Sequence, residues 1–178
     1  GFLFHRGVPL MLWEAPFRER FKARFRIDPR EIPEDDPRIA GMRAEIMSSF
    51  IRKIRRTLDE EQQRRGDATP RLPRAVSTVA SPDDNKRFGL DVERWVREKW
   101  IDQIGIAWFA FHTSGLGQGS GDTEYYVRIT RNTSVEVFPF YIGWKMPEAP
   151  ELLKRVAADY QAGADGVAIW DPNQFRGW

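Results

Sequence analysis

Cysteine is absent from this 178-residue chain, which rules out disulfides, thiolate metal sites and cysteine nucleophiles and leaves the compartment open. Histidine is scarce: the only two, His5 and His112, show no short ligand spacing, so no metal and no cofactor is expected. Long apolar runs are missing too. The apolar N-terminal stretch is interrupted by His5 and Arg6 too early for a signal peptide or a membrane span. An excess of one charge is also lacking, since 28 Lys and Arg face 26 Asp and Glu and the signs are interleaved. That balance argues against a nucleic-acid partner. The most basic run, Arg52 to Arg56, is broken by Ile54 and followed by Asp59, Glu60 and Glu61, and reads as a solvated helix face.

What the chain does have is a rhythm. Five short apolar segments, Gly1 to His5, Ala75 to Ser81, Gly105 to Phe111, Val135 to Ile142 and Gly166 to Trp170, alternate with four stretches of helical period. Continuous apolar strands between amphipathic helices predict a parallel sheet. The clearest helix opens at Asp36-Pro37, a cap followed by proline at the first helical position, and closes at Gly66. Its apolar stripe runs Ile39, Met42, Ile46, Met47, Phe50, Ile51, Ile54 and Leu58. A shorter helix is expected at Glu19 to Arg26, within the long irregular stretch after the first strand. Others are expected after Asp91, from Asp122 to about Asn132, and after Pro147 to Pro150. The last of these should bury Leu152, Leu153, Val156, Ala157 and Tyr160. Pro82-Asp83-Asp84-Asn85 reads as a polar loop.

Parallel neighbours joined by right-handed crossovers should lie side by side in chain order. The expected fold is therefore α/β, a partial (β/α)8 barrel of about five strands and four intervening helices, with residues 1–178 as one domain. Closing a full barrel takes roughly 250 residues. An open arc exposes edge strands and apolar surface, a route to self-association.

Several segments in order resemble the family-10-like glycosyl hydrolases, bacterial barrels related to glycosidases. They are Phe4-His5-Arg6-Gly7 with Pro9, Trp13-Glu14-Ala15-Pro16, Asp28-Pro29-Arg30 and Glu34-Asp35-Asp36-Pro37-Arg38. Phe88-Gly89-Leu90-Asp91 with Trp95-Val96 follows, then Ala162-Gly163-Ala164-Asp165-Gly166 leading into Ile169-Trp170-Asp171. The resemblance covers the chain and corresponds to the C-terminal portion of such a barrel. It implies glycan-directed hydrolysis and a poly- or oligosaccharide as partner. A carbohydrate-binding or structural relative without turnover is the alternative.

In parallel α/β folds the site collects at the carboxyl ends of the strands. Glycoside hydrolysis needs two carboxyl groups there, one protonated and one ionised, roughly 5 to 10 Å apart. Rim acids are Glu14, Asp83, Asp84, Asp122, Glu124 and Asp171. Asp122 is explained as a helix cap and Glu124 as a first-turn acid. Glu14 sits between Trp13 and Pro16, where desolvation would raise its pKa, and Asp171 follows a buried strand. These two are the expected acid pair, with His5 and His112 as proton-shuttling support. Against each stands the plainer role of a loop acid or a strand-end imidazole bonded to backbone. Arg6 and Lys145 are candidates to hold a uronate or sialate carboxylate, or else form structural salt bridges. Trp13, Trp144 and Trp170 suit stacking on sugar faces, and Asp84 and Asn85 are assigned to substrate binding. The glycine-rich Gly115 to Gly119 lacks the Lys-Ser/Thr of a phosphate loop and reads as a lid or turn.

Overall fold

The computed structural model describes residues 1–4, 10–66, 71–79, 81–107, 120–142 and 149–170. The described strands are β1 (Phe2–Leu3), β2 (Ala75–Val79), β3 (Gln103–Ala107), β4 (Glu136–Ile142) and β5 (Ala168–Trp170). All pairings are parallel, and the strands lie in chain order. The described helices are α1 (Ala15–Phe25), α2 (Pro37–Arg65), α3 (Pro82–Phe88), α4 (Val92–Arg97), α5 (Ser120–Thr130) and α6 (Ala149–Ala162), with a single 3-10 turn at Pro29–Glu31. No helix among the described residues is long and apolar enough to cross a membrane.

Alternation along each strand divides the sheet into two faces. Phe4, Val76, Ile104, Ile106 and Val137 pack under Met47 and Ile51 of α2, Phe88 of α3, Trp95 and Val96 of α4 and Tyr126 of α5 in one buried cluster. The opposite face mixes small residues with two phenylalanines. Leu3, Ala75, Ser77, Gly105, Phe138, Phe140 and Ala168 line a concave space of about 250 Å³. Gly105 is what permits Phe140 to lie across its neighbour, because a β-carbon there would come within 2.7 Å of the ring.

The capping chemistry expected of α2 is present. The Asp36 carboxylate accepts from the Arg38 amide at 2.9 Å, Pro37 opens the helix, and Gly66 ends it with a backbone bond to Gln62. Arg38 beside it holds the Asp36 carboxyl down at about 2. Ile39, Met42, Met47 and Ile51 are buried as the stripe requires, and Arg52, Lys53 and Arg56 are solvated. Phe50, however, is 46 % exposed.

Two readings need correction. Pro82 to Asn85 is helix rather than loop: Ser81 caps α3 through an Oγ that accepts from the Asp84 amide at 3.2 Å, and Phe88 anchors its far end in the core. The apolar stripe of α6 is at most half-buried, at Leu152 and Val156. Leu153 and Tyr160 are 67 % and 52 % exposed, and Asp159 is the buried residue of that helix.

Asp159 is buried because it is fully engaged. Its two oxygens accept from Thr123 Oγ1 at 2.7 Å and from the Tyr141 hydroxyl at 2.5 Å, joining α5, α6 and β4. Burial and the adjoining carboxylate push the Tyr141 phenol well above its ordinary pKa, keeping it a donor. Tyr141→Phe should cost about 1–3 kcal/mol by leaving a buried acceptor short of a donor. Thermal melts of the two proteins would check this, and equal midpoints would sink it.

Candidate functional site at the carboxyl ends of the strands

β2 ends at Val79, and two helices converge on that end. The Asn85 amide of α3 donates to the Val79 carbonyl at 2.8 Å and to the Ser81 carbonyl at 3.0 Å. The Tyr126 hydroxyl of α5 donates to the same Val79 carbonyl at 2.8 Å and accepts from the Asn85 amide at 2.5 Å. Thr78 Oγ1 lies 3.4 Å from that hydroxyl. Burial, with smaller contributions from neighbouring charge, raises the Tyr126 pKa far above its usual value, so the group stays a neutral phenol. This network fixes α5, which follows β3, against α3, which follows β2.

The network brings α3 and α5 together at this end of the sheet, near enough for the charge of Asp84 to act on Asp122. Asp84 is buried in the first turn of α3, and Arg87 Nη2 donates to its Oδ1 at 3.0 Å. Asp122 lies one turn before Tyr126 on α5 and is half-buried. Burial first, and the charge of Asp84 second, push the Asp122 pKa above its ordinary value. A carboxyl whose pKa is raised, under the influence of a second carboxylate that is itself ion-paired, is the kind of asymmetry that acid–base chemistry uses.

The expected site residues fare unevenly. Glu14 is exposed, and its Oε2 accepts from the Leu12 amide at 2.9 Å. The burial expected of Glu14 is therefore missing, because Trp13 turns inward while Glu14 turns out. Trp13 is half-buried, with its ring centroid 6.4 Å from Phe17 and 5.7 Å from the Arg43 guanidinium carbon. Asn85 is buried, and its amide holds the end of β2. Trp170 closes β5, but its side chain lies outside the described residues. His5, Arg6, His112, Trp144, Lys145 and Asp171 lie outside them as well. Asp122 is a first-turn residue of α5 rather than its cap, since the helix opens at Ser120. The signal for it was present in the sequence, but its partnership with Asp84 depends on β2 and β3 being neighbours.

A second cluster flanks the first. Arg43 of α2 is fully buried beneath Trp13, and Glu34 and Arg87 are close enough to act on its charge. Among the described residues, no group of three or more His, Asp or Glu side chains is gathered as a metal site would require. No family model matches this chain, and no curated protein matches it.

Proposed function

We propose that this chain is an arc of a (β/α)8 barrel of glycoside-hydrolase type, resembling the family-10-like glycosyl hydrolases. It would act on a poly- or oligosaccharide with Asp122 as the acid and Asp84 as the ionised carboxylate. Three surfaces support the barrel reading. The concave face is apolar, and apolar residues are exposed at both lateral edges: Leu3 and Phe50 beside β1, and Leu153, Tyr160 and Ile169 beside β5. Further βα units continuing the sheet would cover all three. The observation that carries the chemistry is the raised pKa of Asp122, caused by burial first and by the charge of Asp84 second, on helices that follow the neighbouring parallel strands β3 and β2. Half-buried Trp13, beside Arg43, supplies an aromatic surface, and Glu14, exposed on the same loop, remains a second candidate acid.

The test is turnover of aryl glycosides and natural oligosaccharides by the full chain and by Asp122→Asn and Asp84→Asn. Loss of an acid should abolish hydrolysis of natural glycosides while sparing aryl glycosides whose leaving group needs no proton. Stability should move the other way. A raised folded pKa means that the contribution of Asp122 is complete below its unfolded value near 3.9 and is lost as pH rises through the folded value. Asp122→Asn is therefore expected to melt higher than the parent at neutral pH. Equal loss on both substrate types, with a lower melting temperature, would reduce Asp122 to a structural role.

A non-catalytic carbohydrate-binding barrel is the second reading. It is favoured by the local bonds that already occupy Asp84 and Glu14. Saturable oligosaccharide binding without turnover would select it.

A further inference from the structure

Arg43 is wholly buried, yet much of its hydrogen-bonding capacity is unused. Its Nε donates to the Met11 carbonyl at 3.0 Å, whereas neither Nη1 nor Nη2 has a hydrogen-bond partner among the described residues. Glu34 Oε1 forms only a long ion pair with Nη2, at 3.5 Å, and the Glu34 side chain is 61 % exposed. A buried guanidinium with empty donors is among the costliest arrangements in a protein interior. Nearby charges do not resolve it: Glu34 and Glu14 favour the cation and Arg87 opposes it, while burial works against it most.

The surroundings hold the guanidinium in place. The backbone of Gly89 lies directly on the root of the Arg43 side chain, its Nε is tied to Met11, and the Trp13 ring lies beside its head. The covering segment is thin, since Leu10 and Leu12 on either side of Met11 are 39 % and 48 % exposed.

We propose that Arg43 anchors a binding site for a ligand carboxylate, which takes up Nη1 and Nη2 as Glu34 swings out to solvent. The planar guanidinium matches a carboxylate with two parallel bonds, which a lysine cannot reproduce. Glu34, held to Nη2 by a long ion pair and largely exposed, is the internal competitor. Trp13 gives the rest of the ligand an aromatic surface. Choosing a uronic acid as ligand rests on the glycan reading above, whereas the carboxylate site does not.

Calorimetric titration of the full chain with glucuronate, glucose and acetate tests this, using the parent, Glu34→Ala, Arg43→Lys and Arg43→Met. Glucuronate should bind saturably and glucose should not. Glu34→Ala, a change at an exposed side chain that leaves the core intact, should tighten glucuronate binding about tenfold by removing the competitor. Both Arg43 variants should lose it, and Arg43→Lys keeps the charge if Arg43→Met fails to fold. Acetate binding as tightly as glucuronate would uphold the carboxylate site and remove the sugar from it. No saturable glucuronate binding to Glu34→Ala, or undiminished binding to Arg43→Lys, would overturn the proposal. Turnover of neutral glycosides in that case would leave the roles of Asp122 and Asp84 standing, so the two readings fail separately.

Discussion

Gly89→Ala is expected to lower stability by roughly 2–5 kcal/mol, the sum of left-handed backbone strain and overpacking. Gly89 closes α3 at φ +79°, a conformation that side chains resist. Its amide donates to the Lys86 carbonyl at 3.0 Å, and the next amide, Leu90, donates to the Asn85 carbonyl at 2.7 Å. Moving the chain out of this conformation would break both. Remaining in it is no easier, because the added β-carbon would run into the Arg43 stem and come within 2.7 Å of the Ala44 nitrogen. That obstacle is the backbone of α2 and cannot rotate away. Either outcome levers α3 off α2 and disturbs Phe88 and Leu90, both in the core. Urea titration should show a lower midpoint with an unchanged slope. Gly41→Ala is the control: it lies within α2 with nothing inside 4 Å of a new β-carbon, and should be neutral or stabilise by up to about 1 kcal/mol. Equal midpoints for the two variants would refute the packing argument.

Trp95→Ala is the second large effect, at about 3–5 kcal/mol. Trp95 has no exposed surface, its ring centroid lies 5.7 Å from that of Phe4, and its indole Nε1 donates to Ser48 Oγ at 2.9 Å. It therefore bridges the end of β1, α2 and α4, and no nearby side chain can fill the space left by an indole. Trp95→Phe separates the two contributions. It retains most of the apolar volume and leaves Ser48 without its donor, so its loss should fall well below that of alanine. Scanning calorimetry of the three proteins would decide, and a phenylalanine variant as unstable as the alanine one would shift the weight from packing to the hydrogen bond.

The segments that resemble glycosyl hydrolases are largely structural where the structure describes them. Phe88, Leu90, Trp95 and Val96 are core, and Asp91 caps α4 by accepting from the Arg94 amide at 3.2 Å. Asp28 is buried among Arg18, Lys22 and Arg30, whose bonds hold its carboxyl far below the usual carboxylate range. Asp165, in the turn before β5, accepts from the Val137 amide at 2.8 Å and so holds that turn against β4. Such residues argue for a fold more than for a reaction, and the chemistry has to be sought at the rim.

The sequence by itself determined the elements whose signals are local. Continuous apolar runs marked the five strands, the crossover rule ordered them, and Asp36-Pro37 and Gly66 bounded α2 because capping is settled within a few residues. Tertiary structure decided the rest. Pro82 to Asn85 has the composition of a turn, yet it is helical because Ser81 caps it and the buried Asn85 and Phe88 hold it on the end of β2. Glu14 was expected to be desolvated and is exposed, since a residue in an irregular loop has no period to say which way it points. The stripe of α6 is apolar but at most half-buried, because burial needs a partner and periodicity supplies only a face. Arg43 lies on α2 between residues of the apolar stripe, and its burial follows from the close approach of Gly89, far away along the chain. The charge of Asp84 acts on Asp122 because the strands that precede their helices are neighbours. A pKa raised by one on the other is a property of distance in space, which no spacing along the chain encodes.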